Sequence, residues 1–374
     1  MNVLMISIGD NILSNPIGDS LDRQKEYAKR LGYVDMIVYS PKKHNLNTKH
    51  YDNLSIYPSK SLNMFTFVYD VLKIVKKLLK NKKIDVITTQ DPFGTALAGY
   101  LLKQKYKIPL HIQSHSSFLN NYEWINEKPI LFRIFNKIGH FTLKKADRLR
   151  VVNTTEKQKY IDILGVKESK IDVAPVPINI KFWQIIPSNE ELNEFKKKYN
   201  LEKPILSWVG RNVKFKNLEF LFKTLSLLET QYHILIAGDM KGYWNLEELE
   251  KKYNIKPIYL GILTHNELKI LYYNTDIYLH TSNYEGFGLV VADAQASGCV
   301  VISRNTDGTK DIIEHTKSGF LVNNEEEFAE KIKFLLNNYT IKNSMSVYAK
   351  NMMAKKFSKD KMLNNIIESI KATV

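Results

Sequence analysis

The residues with the clearest chemical potential lie in one short segment, Ser282–Ala294, which reads SNYEGFGLVVADA. An apolar run ends just before this segment, and its carboxylate Glu285 is followed by Gly286, Phe287 and Gly288. Glycines let a backbone turn sharply and approach a ligand closely. An apolar helical pattern follows, so the amides of residues 287 to 289 are predicted to lie at a helix N-terminus. Such amides form an anion site that suits a diphosphate.

Two carboxylates in this segment could bind hydroxyl groups. Glu285 is predicted to lie at the mouth of the turn, where it could accept hydrogen bonds from a sugar. Asp293 lies eight residues further on, two helical turns away, and is expected to share roughly one face with the helix start. It could reach a second set of hydroxyls, such as those of a ribose. A plain strand–turn–helix with surface acids stays open as the alternative, because glycine-rich turns of this kind are common.

Two bases follow another apolar run, in the segment Val209–Leu218, which reads VGRNVKFKNL. Arg211 offers a planar fork for phosphate oxygens, and Lys216 offers a point charge. Together they could neutralise a leaving nucleoside diphosphate without a metal ion. Two solvated bases on a loop are the alternative interpretation.

A histidine is the candidate from the first half of the chain. In the segment Ile108–Phe118, His111 lies inside an apolar run and is expected to be a packing residue, whereas His115 follows the run and is the better candidate for touching a substrate. The segment Gly9–Ser20 has the position of a phosphate-binding loop, but its glycines do not form G-x-G-x-x-G. That segment is therefore interpreted as a loop over the site and not as a dinucleotide signature.

Short apolar runs separated by helical patterns are expected to position these residues. Such runs predict parallel sheets covered on both faces by helices. The predicted strands of the first half are Val3–Ile8, Met36–Tyr39, Val86–Thr89, Leu110–Gln113, Leu149–Val152 and Ile171–Ala174. Those of the second half are Ile205–Val209, His233–Ala237, Ile258–Leu260, Ile277–His280, Val300–Ser303 and Phe320–Val322.

The fold class is therefore predicted to be α/β, with two Rossmann-like doubly wound domains facing a central cleft. A proline-containing stretch without periodicity, from Pro175 to Pro187, marks the linker. The predicted domains are residues 1–180 and 181–358, and residues 359–374 are expected to form a helix that returns to the first domain. Ligands of such folds bind at the carboxyl ends of the strands, so the site is expected in the cleft.

Length, composition and charge set the outer bounds. The chain has 374 residues with ordinary globular composition and one cysteine, Cys299, which excludes an intrachain disulfide and favours a cytoplasmic setting. No signal peptide is predicted, and no apolar stretch is long enough to span a bilayer. Residues 1–180 carry 28 Lys and Arg against 16 Asp and Glu, so most of the net charge of +15 lies there. An anionic partner for this half is expected.

Taken in order, these segments resemble glycosyltransferase family 4, the retaining enzymes of GT-B fold. EGFGLVVADA is similar to that family's E-G-F-G-L-x-x-x-E-A signature, GRNVKFK to its G-R-x-x-x-x-K loop, and QSHSS to the histidine loop of its first domain. Residues 15–19, NPIGD, stand where the family usually has a Gly-Gly loop. Asp293 replaces the second Glu of the signature, Asp19 replaces a glycine, and Cys299 replaces a usual proline. The resemblance covers nearly the whole chain.

The resemblance implies transfer of a sugar from a nucleoside diphosphate sugar to a hydroxyl acceptor, with retention at the anomeric carbon. It implies that Glu285 holds the donor sugar and that Arg211 and Lys216 bind the diphosphate. It further implies that His115 contacts the sugar near its anomeric centre and that Asp293 reaches the ribose. The remaining implied donor contacts are Gly18, Gly286, Phe287, Gly288 and Leu289. No DxD-type motif is present, and neither a metal nor another cofactor is expected.

Two other functions stay open at this point. One is a nucleotide-sugar epimerase of the same architecture, and the other is a basic nucleic-acid-binding protein. The second is disfavoured because clustered Arg and known RNA or DNA motifs are absent from the sequence. The acceptor is expected to be a glycan or a lipid-linked group.

An amphipathic helix predicted over Val68–Lys80 would present Lys73, Lys76, Lys77 and Lys80. Its apolar face is expected to pack on the sheet, with the lysines left in water. Those lysines would add to the charge that attracts an anionic membrane. The protein is expected to be cytoplasmic, and these lysines leave open a peripheral position at the inner face of the membrane.

Overall fold

Both halves of the chain alternate buried strands with helices in a computed structural model that describes residues 1–14 and 20–374. The first unit comprises Met1–Pro175 and Met362–Val374, and the second comprises Val176–Lys361. The division thus falls after Pro175 and before Met362, a few residues from the boundaries expected from the sequence.

An eight-stranded sheet forms the centre of the first unit, with strand order β3-β4-β2-β1-β5-β6-β7-β8. All neighbouring pairs are parallel except β3 and β4, which are antiparallel. Its strands are β1 (Asn2–Ser7), β2 (Tyr33–Val38), β3 (Lys49–Tyr51), β4 (Leu54–Pro58), β5 (Val86–Thr89), β6 (Leu110–Ser114), β7 (Arg148–Val151) and β8 (Ile171–Val173). Its first seven helices are α1 (Asn11–Ser14), α2 (Ser20–Leu31), α3 (Met64–Leu78), α4 (Gly94–Tyr106), α5 (Tyr122–Glu127), α6 (Pro129–Lys145) and α7 (Thr154–Leu164).

Helix α3 illustrates how the layers of the first unit form. Asn63 caps it by accepting hydrogen bonds from the amides of Phe65 and Thr66, which satisfies two donors of its first turn. Phe67, Val71 and Val75 then recur every four residues and are fully buried with the strands. The lysines of its second half stay exposed, as the amphipathic pattern predicted.

A six-stranded, all-parallel sheet forms the centre of the second unit, with strand order β11-β10-β9-β12-β13-β14. Its strands are β9 (Ile205–Val209), β10 (His233–Ala237), β11 (Ile258–Gly261), β12 (Ile277–His280), β13 (Val300–Arg304) and β14 (Gly319–Val322). Its helices are α8 (Ile180–Gln184), α9 (Asn189–Lys198), α10 (Leu218–Ser226), α11 (Leu246–Tyr253), α12 (His265–Asn274), α13 (Leu289–Ser297), α14 (Thr309–Ile312), α15 (Glu325–Asn337) and α16 (Tyr339–Lys356).

The last helix, α17 (Lys359–Lys371), completes the core of the first unit. Its Leu363, Ile366, Ile367 and Ile370 are buried in one cluster with residues of β1, β2 and α2. The Ser369 hydroxyl donates to Asp172 Oδ2 at 2.6 Å and lies 3.0 Å from His111 Nε2. His111 is buried between Ser369 and Thr88, which is the packing role expected for it.

Several local elements differ from the sequence predictions, and one of them is α1, which lies in the segment Gly9–Ser20 that was predicted to be a loop. The strands β3 and β4 were not predicted, because neither is a continuous apolar run: β3 reads KHY and β4 reads LSIYP. The segment interpreted as an aperiodic linker contains α8, a helix of five residues that Asn179 caps. Within the described residues, no helix is both long and apolar enough to cross a bilayer.

We expect Ile367→Ala to lower the free energy of unfolding of the first unit by about 2–5 kcal/mol, because the lost side chain leaves a cavity between α17 and the sheet. Chemical denaturation followed by circular dichroism measures this loss. Asn365→Ala is the matched control, since Asn365 is exposed on the same helix. Equal stability of the two variants would contradict a structural role for α17.

Candidate functional site

Two loops of the second unit meet at the carboxyl ends of neighbouring strands. β9 and β12 lie side by side in the sheet although their sequences are far apart. The loop after β9 carries Lys216, and the loop after β12 carries Glu285. Lys216 Nζ lies 2.7 Å from Glu285 Oε2, and both side chains are largely withdrawn from solvent, with 12% and 19% exposed. The fold therefore joins two residues that the sequence separates by 69 positions.

Hydrogen bonds hold these two loops in register. The Thr281 hydroxyl donates to the Lys216 carbonyl at 2.8 Å and itself accepts from the Trp208 indole at 3.0 Å. The Asn283 amide donates to the Phe215 carbonyl at 2.7 Å. The side-chain amide of Asn217 donates to Asn283 Oδ1 at 2.7 Å. Lys216 is thus fixed at its backbone as well as at its ammonium group.

A third loop, after β13, holds the backbone of Glu285 in place. The Gly308 amide donates to the Glu285 carbonyl at 3.0 Å. A Cβ at Gly308 would lie 2.7 Å from the Gly286 carbonyl group and 2.8 Å from the Glu285 oxygen, so only glycine fits there. Arg304, the last residue of β13, donates to Asn283 Oδ1 and lies over the Phe220 ring. Three consecutive strand ends thereby converge on Glu285.

The charge of Glu285 is strongly favoured by its surroundings. Burial alone would raise its pKa, but the ammonium of Lys216 and the ring of His280 outweigh burial and lower the pKa to about 2. His280 Nε2 lies 3.5 Å from Glu285 Oε2. The carboxylate is therefore ionised throughout the physiological range and can act as a hydrogen-bond acceptor.

His280 itself is buried in a small polar network. Ser303 donates its hydroxyl to the Arg304 carbonyl at 2.7 Å, which leaves Ser303 Oγ to accept from His280 Nδ1 at 2.9 Å. His280 Nε2 can then accept from the Ser282 hydroxyl at 3.0 Å. Burial lowers the pKa of His280, and the neighbouring Glu285 carboxylate opposes this effect.

Helix α13 begins directly after the loop that carries Glu285. Gly288 is its N-cap residue with φ of +90°, a conformation that favours glycine, and it offers no side-chain cap to the first-turn amides. The side chain of Phe287 is buried against Phe357 with 5.7 Å between ring centroids, while Leu289 is 42% exposed. The helix start thus has the backbone geometry of an anion site.

Asp293 differs in position from the expectation. The helix starts at Leu289, so Asp293 lies one turn into α13 and not two turns from its start. The residues between Glu285 and Leu289 form the turn and do not add helical rise. Asp293 is partly buried.

Arg211 is not drawn into the contact between Lys216 and Glu285. Its side chain is exposed, and its carbonyl accepts from the Val213 amide at 2.9 Å. No ion pair or side-chain hydrogen bond of Arg211 is found among residues 1–14 and 20–374. The guanidinium is therefore available to an anionic ligand.

His115 lies in the first unit, directly after β6. Its Nε2 is 2.9 Å from Gln90 Oε1, and Gln90 follows the neighbouring strand β5. Burial and the nearby Arg150 guanidinium hold the pKa of His115 well below its usual value, so the ring is neutral. Gly18 lies outside the described residues.

Several residues that hold the site together in the second unit were not predicted from the sequence. His280, Asn283, Arg304 and Gly308 all stand at or within a few positions of the carboxyl end of a parallel strand. Examining the polar residues after every predicted strand, and not only after the glycine-rich turn, would have found them. In the part of the chain that the structure describes, no three His, Cys, Asp or Glu side chains are grouped so as to hold a metal ion.

Comparison with known proteins places both halves of the chain among sugar-transferring enzymes. A family model described as Glycosyltransferase Family 4 matches residues 23–182, and one described as Glycosyl transferases group 1 matches residues 189–352.

Two relatives and one solved structure illustrate the similarity. An N,N'-diacetylbacillosaminyl-diphospho-undecaprenol alpha-1,3-N-acetylgalactosaminyltransferase of Campylobacter jejuni is 26% identical, over 82% of this chain and 84% of that protein. An alpha-monoglucosyldiacylglycerol synthase of Acholeplasma laidlawii is 24% identical, over 80% of each chain. The crystal structure of HepE from Anabaena in complex with UDP superposes with a TM-score of 0.78 at 14% identity, over 100% of both chains.

The coupling between Lys216 and Glu285 predicts a specific dependence of stability on pH. The pKa of Glu285 in the folded chain, about 2, lies below the ordinary value of 4.5. Its ionisation therefore stabilises the fold above about pH 4.5, and this contribution is lost as the pH falls towards about 2. We expect Lys216→Met to lose most stability, relative to wild type, above about pH 4.5. The difference in the free energy of unfolding should become smaller as the pH falls towards about 2.

Denaturation curves at several pH values, followed by tryptophan fluorescence, measure this difference. Lys214→Met is the matched control, because Lys214 is an exposed lysine of the same turn. If the curves of wild type and Lys216→Met run parallel at all pH values, the ion pair does not govern the ionisation of Glu285.

Proposed function

Because this chain is a GT-B glycosyltransferase of the family 4 type, we propose that it moves a sugar from a nucleoside diphosphate sugar to a hydroxyl group with retention of configuration. One observation carries the proposal: Lys216 and Glu285 meet at 2.7 Å, at the ends of adjacent parallel strands and beside the start of α13. A cation, a carboxylate that can accept hydrogen bonds from sugar hydroxyls, and a helix N-terminus thus lie together where parallel sheets bind ligands.

Each group has a distinct part in binding the donor. Glu285 accepts hydrogen bonds from the sugar hydroxyls, and its low pKa keeps it charged for this purpose. Lys216 and the exposed Arg211 bind the diphosphate, together with the amides of the turn from Gly286 to Leu289. Asp293 reaches the ribose, and its side chain, shorter than Glu, makes this contact longer or mediated by water.

The first unit contributes a neutral imidazole. His115 contacts the donor sugar near its anomeric centre, and its ring is uncharged because burial and Arg150 disfavour protonation. A neutral ring avoids repulsion of the positive charge that develops on the sugar during transfer. Gly18 is assigned to the diphosphate by its place in the sequence alone.

Charge stabilisation on the leaving group is the main source of catalysis in this mechanism. The bond between the anomeric carbon and the diphosphate oxygen breaks, and the acceptor oxygen attacks the same face of an oxocarbenium-like sugar. The proton of the acceptor hydroxyl passes to the departing diphosphate oxygen. Lys216 and Arg211 stabilise the negative charge that develops on the diphosphate, so no metal ion or other cofactor is required. Glu285 is not assigned as a nucleophile, because the Lys216 ammonium already occupies one of its oxygens.

The acceptor is proposed to be a glycan or a lipid-linked group at an anionic membrane surface, on the cytoplasmic side. Two features support this: the first unit carries most of the net positive charge, and two relatives bear names with lipid or lipid-diphosphate substrates. The product would enter polysaccharide or glycolipid biosynthesis. A nucleotide-sugar epimerase is the second candidate function, favoured by nothing specific in the site, and nucleic acid is not a proposed partner.

A panel of nucleoside diphosphate sugars, assayed with EDTA present, tests the proposal. We expect one donor class to bind, and nucleoside diphosphate to be released in step with glycosylation of an added acceptor. NMR of the product reports the anomeric configuration. Consumption of donor without acceptor would favour the epimerase, and activity lost on chelation but restored by magnesium or manganese would contradict metal independence.

Single substitutions in the donor site should separate sugar binding from diphosphate binding. Arg211→Ala and Lys216→Ala should each weaken binding of free nucleoside diphosphate by about 1.5–3 kcal/mol, the range for hydrogen bonds to charged groups. Glu285→Gln should retain the nucleotide yet lower turnover by roughly a hundredfold, because its contacts act on the sugar. Isothermal calorimetry and steady-state kinetics measure these effects, with Lys214→Ala as the control. Unchanged nucleotide affinity in both Arg211→Ala and Lys216→Ala would place the diphosphate elsewhere.

A further inference from the structure

Helix α6 has one face that packs firmly on the first unit. Gly139, Thr142 and Leu143 are buried, and Thr142 donates its hydroxyl to the Pro92 carbonyl. Phe132 stacks on Trp124 of α5 with 4.3 Å between ring centroids, and Phe135 stacks on Phe93 at 5.5 Å. These aromatic contacts fix the rotation of α6 about its axis, and they therefore also determine which of its residues face away from the rest of the first unit.

The opposite face of α6 is a stripe in which large apolar side chains alternate with bases. Ile130 is 81% exposed, Ile134 is 50% exposed and Phe141 is 43% exposed. The stripe follows helical spacing and consists of Ile130, Arg133, Ile134, Lys137, Phe141, Lys144 and Lys145, all exposed. We refer to these seven residues as the α6 stripe. The whole helix contains no acidic residue.

The charges of the α6 stripe are not balanced within the first unit. No salt bridge to its four bases is found in the described parts of the chain. Three exposed apolar side chains on one helix face are costly in water, and four uncompensated bases beside them repel one another. A partner that removes both costs must bury the apolar side chains. It must also place negative charges beside them along the whole helix face.

The boundary of an anionic bilayer has this composition. Apolar side chains of an interfacial helix enter the region between head groups and acyl chains, while Lys and Arg reach out to lipid phosphates. Because the bases alternate with the apolar residues along the whole stripe, they match a continuous layer of phosphates better than a single acidic patch.

We propose that the α6 stripe is the surface by which this protein docks on anionic membranes, with Ile130, Ile134 and Phe141 entering the lipid interface. The loop that carries His115 is tied to this helix, since Phe118 packs on Trp124 at 4.9 Å and Trp124 stacks on Phe132. Docking through α6 therefore holds that loop near the lipid surface. This last step rests on the proposed function, in which a lipid-held acceptor is glycosylated there.

Helix α3 offers the comparison. Its Lys73, Lys76 and Lys77 are exposed, as is Lys80 just after its end, but the exposed large apolar residues of that helix, Phe65 and Tyr69, precede them. Its lysine face lacks interleaved apolar groups and can attract a membrane only by long-range charge. The four lysines on and just after α3 and the four bases on α6 therefore form a matched pair for testing.

Co-sedimentation with vesicles of phosphatidylcholine alone or mixed with phosphatidylglycerol tests the proposal, without donor or acceptor. Wild type should bind the anionic vesicles selectively. The triple variant Ile130→Ser, Ile134→Ser, Phe141→Ser and the quadruple variant Arg133→Gln, Lys137→Gln, Lys144→Gln, Lys145→Gln should each lose about tenfold or more in partitioning. The quadruple control Lys73→Gln, Lys76→Gln, Lys77→Gln, Lys80→Gln should change it by about twofold or less.

A single substitution, Ile134→Trp, gives a second measurement of membrane contact. It keeps an apolar side chain at this exposed position, so it does not remove the proposed interaction. Its added emission should shift to the blue with anionic vesicles and not with neutral ones, because the indole enters the lipid interface. Circular dichroism verifies the fold of every variant, and an unfolded triple variant leaves the tryptophan shift to decide.

Four results would overturn the proposal: no preference of wild type for anionic vesicles, equal losses in the α3 and α6 charge variants, wild-type binding by the triple variant, or an unshifted emission of the Ile134→Trp variant. A dimer in sedimentation velocity that the triple variant dissolves, without vesicle binding, would assign the stripe to a second copy of the chain. Failure of sugar transfer would refute the proposed function and leave the vesicle result unaffected.

Discussion

The charge of Glu285 is the constraint around which the second unit is arranged. A carboxylate withdrawn from water is costly unless a cation and hydrogen-bond donors compensate it. Lys216 provides the cation, and Thr281 and Asn283 hold the turn from which Lys216 projects. Gly308 brings the next strand's loop against the Glu285 backbone, where any side chain would collide. These loops are therefore one cooperative structure, and a change in any of them reaches the carboxylate.

Strand order explains why such distant residues can cooperate. In the second sheet β9 lies between β10 and β12, so the chain leaves β9 in one direction and returns on its other side. The loops after β9 and β12 consequently meet at the point where the strand order reverses, which is where open parallel sheets bind ligands. Lys216 and Glu285 contact each other from opposite sides of this switch point. Fold and site are thus products of the same crossover.

Much of this arrangement could be predicted from the sequence, because buried parallel strands leave strong local signals. All six strands of the second sheet were predicted to within a residue or so at each end, and the glycine-rich turn identified Glu285. The contacts of His280 could not be predicted, because they depend on Ser303 from the neighbouring strand. Nor could the sequence reveal the outward face of α6, since the rotation of that helix depends on stacking with Phe93 and Trp124. Local patterns determine elements, whereas contacts between elements determine which side chains remain available.

The return of α17 to the first unit has a consequence for the order in which the protein matures on the ribosome. The core formed by β1, β2 and α2 stays open until Leu363, Ile366, Ile367 and Ile370 have been synthesised, after the whole second unit. Domains generally fold as units and begin to do so during synthesis. Here the second unit has all its residues first, while the first waits with an uncovered apolar face. During that interval the uncovered apolar face of the first unit is open to aggregation and to chaperones. The unit that is synthesised first is thus the one that completes its core last.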